Sequence, residues 1–378
     1  MKIAMIGHRQ IPSREGGVEI VVQEISTRMV KKGNEVTCYN RGGKNLMDNS
    51  LNSNKIKEYQ GVKIKKVWTI NKKGLAAMTS SFFGTLAILF SKAKIVHYHA
   101  EGPCAWMWII RIFSRKRIIA TIHGLNWKSP KWKGFGAKYI KFGEKVAVKC
   151  AHEIIVLSES MKEYFKETYN RNTIFIPNGV SKPIIRETNI IKEKFGLEKD
   201  NYILFLGRIE PVKGIHYLID AYKKIKTDKK LVIAGGVSEV DSYYNELLEK
   251  ADKNKNIIFT GFVQGDILDE LYSNAYIYVL PSDAEGMPLS LLEAMSYGNC
   301  CLTSDIKECT EVIEDKGIYF KKSDTNDLLA NLQNLCNNKE IVNKYKKNSQ
   351  NYILNKYNWD NIVNETLKLY SNNKTTFK

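Results

Sequence analysis

Two glutamates eight residues apart, Glu285 and Glu293, bracket a segment that reads as the start of a helix. The run Ala-Tyr-Ile-Tyr-Val-Leu-Pro-Ser over 275–282 has the apolar and aromatic character of a buried strand. Pro288 suits the first helical position and Gly298 the stop after 294–297. Backbone amides of 286–290, on a stretch made of Gly286, Met287, Pro288 and Leu289, would face outward there, and the helix macrodipole favours an anion such as a diphosphate. Glu285, ahead of the helix, reaches hydroxyls on one side of that anion. Glu293, a turn and a half further on, reaches the other side. An ordinary helix with one acid near its start has the same appearance, so the pair needs a partner cluster.

Cations supply it. The run 202–207 reads as a buried strand and 215–222 as a helix, and between them Arg208 and Lys213 share one loop. Phosphate oxygens are natural partners for such a pair, Arg binding through its planar fork and Lys as a point charge. Two solvated loop cations are the plain alternative in so basic a chain. Near the N-terminus Gly16 and Gly17 open the first helix after a loop, where a phosphate can come close to the backbone; a flexible loop with a helix cap has the same composition. His123 ends the strand-like run 117–124, and Gly124 allows a tight turn after it. His97 and His99 alternate along another strand, 94–100, and so face one side. A metal site from those two would need a carboxylate, and Glu101 is the only neighbour; none is expected.

These residues must be positioned by strands and helices that alternate. Runs 2–8, 35–41, 62–69, 94–100, 117–124 and 153–158 read as strands, with helices at 17–32, 132–149 and 159–169. After Asn178 and Pro183 the pattern restarts, with strands at 202–207, 230–235, 257–262, 275–282, 300–304 and 317–320, and helices at 214–226, 241–253 and 325–337. Such alternation implies parallel sheets covered on both faces. The expected fold class is α/β, two doubly wound Rossmann-like domains: an N-terminal domain over 1–180 and a C-terminal domain over 184–357. Ligands bind outside the carboxyl ends of such strands, and each candidate residue lies at such an end. The polar stretch 49–57 reads as a loop. No Gly-x-Gly-x-x-Gly follows either first strand, which weakens a dehydrogenase reading, and no Walker loop, H-E-x-x-H motif or Ser-His-Asp order is present.

With 378 residues and 43% hydrophobic content, the chain is large enough for two domains with separate cores. Its seven cysteines are scattered without Cys-x-x-Cys spacing, the pattern of reduced cytosolic thiols. The N-terminal run reads as a first strand and not as a signal peptide. The apolar stretch 75–90 falls short of the roughly 20 residues that span a bilayer and reads as a buried or surface-lying helix. The net charge of +18 is unevenly placed: 1–180 carry 31 Lys and Arg against 12 Asp and Glu, and 181–378 carry 27 against 28. In the basic half, cations interleave with Trp106, Trp108, Phe113, Trp127, Trp132, Phe135 and Phe142. That suits an anionic membrane surface, and a nucleic-acid groove uses similar ingredients. Trp108 and Phe142 are expected in the core.

Five fragments in register resemble the retaining glycosyltransferases of family 4, which have the GT-B fold, and in particular the bacterial surface-polysaccharide branch. They are Gly7-His8 with Glu15-Gly16-Gly17-Val18-Glu19; Thr121-Ile122-His123-Gly124 with Trp127 and Lys131-Trp132; Ile176-Pro177-Asn178-Gly179-Val180; Gly207-Arg208 with Lys213-Gly214; and Glu285 with Glu293. Val18 departs from the aromatic residue usual in that branch. The resemblance implies two domains facing a cleft, with a C-terminal helix, 358–378, crossing back to the first. It implies transfer with retention and no metal or other cofactor, the nucleotide-sugar donor being a substrate. Glu285, His123, Arg208 and Lys213 are then the catalytic set. Gly16, Gly17, Phe262, Val263, Glu293 and the 286–289 stretch hold the donor, Phe262 and Val263 bracketing the base, and His99, Trp127 and Asn178 lie on the acceptor side. Arg208 and Lys213 stabilise the leaving diphosphate, which takes the acceptor proton in a front-face attack, and closure about 178–183 excludes water. A UDP- or dTDP-linked donor of rhamnose or glucose/GlcNAc type, a lipid-linked glycan acceptor, an anionic membrane surface met by the basic N-terminal domain, no nucleic-acid partner and a place on the cytoplasmic face of the membrane complete the expectation. A nucleotide-sugar epimerase or hydrolase of the same fold, or a basic nucleic-acid-binding protein, is the alternative.

Overall fold

The structure, a computed structural model, describes residues 1–42, 56–72, 74–128, 132, 134–237 and 241–371. Lys131 and Lys133 of the basic aromatic segment and most of the 49–57 stretch lie outside them. The chain divides into two compact units, Met1–Asn178 with Trp359–Lys378, and Gly179–Asn358.

The first unit is built on an eight-stranded sheet of β1 (Lys2–Ile6), β2 (Glu35–Arg41), β3 (Glu58–Tyr59), β4 (Val62–Val67), β5 (Ile95–His99), β6 (Arg117–Ile122), β7 (Glu153–Val156) and β8 (Ile174–Phe175), in the order β3-β4-β2-β1-β5-β6-β7-β8. Every pairing is parallel except that of the short β3 with β4. Both faces are covered, so the central strands are continuous apolar runs; Ala4, Ile6, Val96, Tyr98, Ile118, Ala120, Ile154 and Val156 form one core with Met107, Ile110 and Phe165 from the helices. The helix Gly17–Lys31 buries Val21, Val22, Ile25 and Met29, a stripe at helical spacing. Ser158 caps Glu159–Tyr169 by accepting the Met161 N–H at 3.2 Å, and Asn170, with φ of 49°, ends it.

The apolar stretch after residue 74 is the helix Leu75–Leu89. Its polar members bond back to the preceding turn, Ser81 Oγ to the Ala77 carbonyl and Thr85 Oγ1 to that of Ser81, each at 2.7 Å. Among the described residues no helix is long and apolar enough to cross a membrane. The C-terminal helix Trp359–Ser371 packs within this unit against Gly17–Lys31. The Arg28 guanidinium lies over the Trp359 ring, and Arg117 Nε donates to the Leu369 carbonyl at 3.0 Å.

The second unit holds an all-parallel sheet of β9 (Tyr202–Leu206), β10 (Lys230–Ala234), β11 (Ile257–Gly261), β12 (Ile277–Leu280), β13 (Cys301–Ser304) and β14 (Ile318–Phe320), in the order β11-β10-β9-β12-β13-β14. Successive strands leave β9 in one direction and then, from β12, in the other. The reversal between β9 and β12 is the topological switch point, the end of an open α/β sheet at which ligands generally bind. In the first unit the same reversal falls between β1 and β5. Several helices appear that the sequence pattern did not single out, among them Met107–Phe113, Asp266–Asn274, Lys307–Ile313 and Lys339–Lys356.

Candidate active site

In the second unit, β9 runs through Gly207 and Arg208 into the 3-10 turn Pro211–Lys213. Gly214 follows with φ of 65°, and a Cβ there would stand 2.0 Å from the Pro281 carbonyl oxygen. Only glycine lets the loop after β9 lie directly on the loop after β12. The Asp283 N–H, donating to the Val212 carbonyl at 2.8 Å, fastens the two. The consequence is an ion pair across the switch point: Lys213 Nζ is 2.6 Å from Glu285 Oε1, with side-chain exposures of only 14% and 8%. The Ser282 hydroxyl donates to the same oxygen at 2.7 Å. Both bonds fall on Oε1, and Oε2 takes no protein partner among the described residues, so it is open to a donor hydroxyl. Arg208 turns elsewhere. It bonds Glu210 at 3.1 Å and is 47% exposed.

The helix after Glu285 begins at Leu289. Pro288 is its N-cap with extended backbone (φ −74°, ψ 104°) and not, as expected, its first residue, which leaves Gly286 and Met287 in the loop. Met287 and Leu289 are buried. Gly298, with φ of 79°, closes the helix: its N–H bonds the Met295 carbonyl at 3.0 Å and that of Asn299 the Ala294 carbonyl at 3.1 Å. Glu293 accepts from the Tyr272 hydroxyl at 3.3 Å, on the helix and apart from the Lys213–Glu285 pair. Phe262, exposed, and Val263 follow β11, at the same carboxyl edge of the sheet.

In the first unit Gly7 plays the part of Gly214. Its φ is 116°, and a Cβ would lie 2.1 Å from the His99 carbonyl oxygen, so the loop after β1 rests on the end of β5. That loop carries His8, whose Nε2 meets Asn40 Oδ1 at 2.9 Å, and leads to Gly16, the N-cap of the helix that Gly17 begins. Glu19, in the first turn, accepts the Arg9 N–H at 2.8 Å. His97 and His99 share one side of β5, as alternation requires, but His99 is fully buried and does not open on an acceptor surface: its Nδ1 lies 3.1 Å from Nε2 of His123 at the end of β6. Burial pushes the rings down, to about 4 for His8 and His123 and about 3 for His97, and His99 falls well below the ordinary value. All four are neutral at pH 7. Asn178 is buried too.

Two buried carboxylates hold the turn after His123. Glu101 accepts from Asn126 at the backbone N–H (2.8 Å) and at Nδ2 (2.6 Å). Glu144 accepts the Trp127 indole N–H at 2.9 Å, Lys141 at 2.8 Å, and the hydroxyls of Tyr164 at 2.8 Å and Tyr169 at 2.6 Å. Lys141 Nζ also lies 4.0 Å from the Trp127 ring centroid. Trp127 is therefore gripped at its edge and on its face. Burial raises Glu101 to about 7, against the bonds from Asn126. Among the described residues no three His, Cys, Asp or Glu side chains converge to hold a metal ion.

The family described as Glycosyltransferase Family 4 matches residues 15–182, and that described as Glycosyl transferases group 1 matches 187–374. An Escherichia coli UDP-Gal:alpha-D-GlcNAc-diphosphoundecaprenol alpha-1,3-galactosyltransferase is 31% identical over 74% of this chain and 75% of its own. The chain belongs to the group 1 and family 4 glycosyltransferases. An uncharacterized glycosyltransferase of Methanocaldococcus jannaschii is 27% identical over 98% of both chains. In fold, this glycosyltransferase superposes on Anabaena Alr3699/HepE, solved with UDP and glucose, with a TM-score of 0.80 at 16% identity, over 98% of this chain and 99% of that one. The fold is GT-B.

Sequence reading of the glycosyltransferase missed the Glu101 and Glu144 contacts and the direct bond between Lys213 and Glu285. Glu144 did leave a signal, since it falls on the buried stripe of Phe135–Cys150 with Ile140, Gly143 and Ala147, where an acid needs donors.

Proposed function

We propose that this glycosyltransferase moves a sugar from a UDP-linked donor, or a dTDP-linked one, to a lipid-linked glycan during assembly of a surface polysaccharide, with retention and without a metal ion. The observation that carries the reading is the Lys213–Glu285 pair at the switch point, with Glu285 Oε2 open beside it. A fixed cation next to an unsaturated carboxylate suits a ligand with a diphosphate and hydroxyls. In this reading Arg208, half exposed beside Glu210, joins Lys213 in holding the charge that grows on the leaving diphosphate, Glu285 orients sugar hydroxyls, Glu293 holds the ribose, Phe262 and Val263 bracket the base, and His123 bonds the sugar. The leaving phosphate takes the acceptor proton, so no separate base is required. The E. coli relative, named for UDP-Gal as donor and a GlcNAc-diphosphoundecaprenol acceptor, supports the substrate classes.

A lipid-borne acceptor calls for a membrane-facing surface, and the first unit carries a suitable one. Phe135, Lys138, Phe142, Lys145 and Lys149 recur every three or four residues along the exposed side of the helix Phe135–Cys150, and Trp108, Arg111, Ile112 and Phe113 are exposed on Met107–Phe113. Trp108 and Phe142 were expected in the core; at 39% and 51% exposure they are outside it, which favours an anionic interface over a buried role.

A thermal-shift panel of UDP, dTDP and their sugars tests the donor, because a ligand that binds only the folded chain raises its melting temperature. The expected result is a shift with uridine or thymidine diphosphates and transfer to a prenyl-diphosphate-linked sugar in the presence of a chelator. No shift with any nucleotide sugar, together with salt-steep binding of RNA, would sink the proposal.

A further inference from the structure

Four of the chain's six histidines meet at the carboxyl ends of β1, β5 and β6, and their hydrogen bonds leave little freedom. His97 is fixed at both nitrogens, Nδ1 2.6 Å from the Tyr370 hydroxyl and Nε2 2.7 Å from Thr121 Oγ1. The His99 ring lies against it, with centroids 4.2 Å apart and planes 31° apart. Held by that neighbour, His99 points Nδ1 at His123 Nε2 across 3.1 Å. Two neutral rings can share only one proton in that bond, and burial keeps both neutral.

Which ring supplies the proton is decided at the far side of His99. Its Nε2 is buried and meets no protein partner. If His123 donated, the one proton of neutral His99 would sit on that Nε2 as a buried N–H with no acceptor, an arrangement proteins rarely tolerate. If His99 donates, its Nε2 is only a bare lone pair, which costs less. The proton of His123 then lies on its own Nδ1, which takes no protein partner among the described residues.

We infer that His99 is a positioning residue: it donates Nδ1–H to Nε2 of His123 and holds His123 in the Nδ1–H tautomer, so that this ring offers a ligand a hydrogen-bond donor. The inference rests on the reading above in which His123 contacts the sugar. It also deepens that reading. With Nε2 filled and Nδ1 protonated, His123 cannot serve as a general base, and it acts on an acceptor oxygen of the substrate.

Long-range 1H–15N correlation spectra of the full chain labelled at histidine distinguish the tautomers directly, with His99→Asn and His123→Gln used for assignment. The expected spectrum shows His123 protonated at Nδ1 and bare at Nε2 at pH 7. A wild-type His123 protonated at Nε2 overturns the inference, whatever the variants do. In His99→Leu the Nδ1–H preference should vanish and kcat fall about tenfold, the worth of one hydrogen bond at the reacting centre. His99→Asn, whose amide can place an N–H where Nδ1 was, should restore both; restored folding without the tautomer would mark His99 as structural only and sink the positioning role. Undiminished transfer by His123→Ala would overturn the sugar contact while leaving the tautomer assignment standing, so the two failures are told apart.

Discussion

At the scale of single residues, Lys213 and Arg208 divide a task that the sequence assigned to both. Lys213 is nearly enclosed and bound to Glu285, whereas Arg208 is half exposed and held only at the rim by Glu210. Their loss should therefore be felt differently. Lys213→Ala strands a nearly buried carboxylate and should destabilise the fold by about 3 kcal/mol. Arg208→Ala removes a surface pair worth about 0–1 kcal/mol, so its melting temperature should hardly move, yet the apparent affinity for a nucleoside diphosphate should drop roughly tenfold, as for a lost charge-assisted bond. Melting curves with and without UDP measure both, and equal loss of stability in the two variants would contradict the division. Glu285→Gln keeps the shape of the side chain while removing its charge. Its kcat/KM should fall at least about 100-fold if the carboxylate acts in the transition state, and a value near that of the parent would remove Glu285 from the site.

At the scale of elements, the site is made by two glycines that let neighbouring loops touch. Gly214→Ala would put a Cβ 2.0 Å from the Pro281 oxygen at a φ of 65°. The backbone conformation alone costs about 1–3 kcal/mol, and the loop must also lift away, drawing Lys213 from Glu285. Lower thermal stability together with weakened UDP binding is expected, and unchanged UDP affinity in a folded Gly214→Ala protein would show that the loop contact is not needed. This is also where legibility in the sequence ends. β2 and the helix Glu159–Tyr169 fall where the alternation of strand and helix in the sequence places them, and the α/β class follows. The Pro288 offset arises because proline suits the end of a loop as well as a first helical turn. The Lys213–Glu285 bond was hidden for a different reason: it joins residues 72 apart through a backbone contact that no local pattern encodes. Trp108 and Phe142 misled because burial was inferred from residue type, while the helix Phe135–Cys150 turns Gly143, Glu144 and Ala147 inward and its aromatic and basic stripe outward.

At the scale of the whole chain, the buried histidines tie stability to pH. Burial lowers His8, His97 and His123 to about 4, 3 and 4 when folded, against 6.5 in an unfolded chain, and holds His99 well below its ordinary value. Within that window the unfolded chain binds protons that the folded chain refuses, so the stability these rings confer is complete above 6.5 and is lost as pH falls toward 4. Glu101 has the opposite sign. Raised to about 7 from 4.5, it stays protonated in the folded chain after the unfolded one has ionised, and its contribution disappears as pH rises through about 7. Going from pH 7 to 5.5 costs on the order of 1 kcal/mol for each of His8, His97 and His123 and returns on the order of 2 kcal/mol through Glu101; His99 shifts in the same direction as the other rings, so the histidines outweigh the carboxyl. The melting temperature should be lower at pH 5.5 than at pH 7. His8→Gln should flatten that difference by removing one titrating ring, and Glu101→Gln should steepen it by removing the opposing group. A melting temperature that stays level between the two pH values would mean that the imidazoles are charged or solvated in the folded chain, and the neutral cluster from which His123 is oriented would not exist.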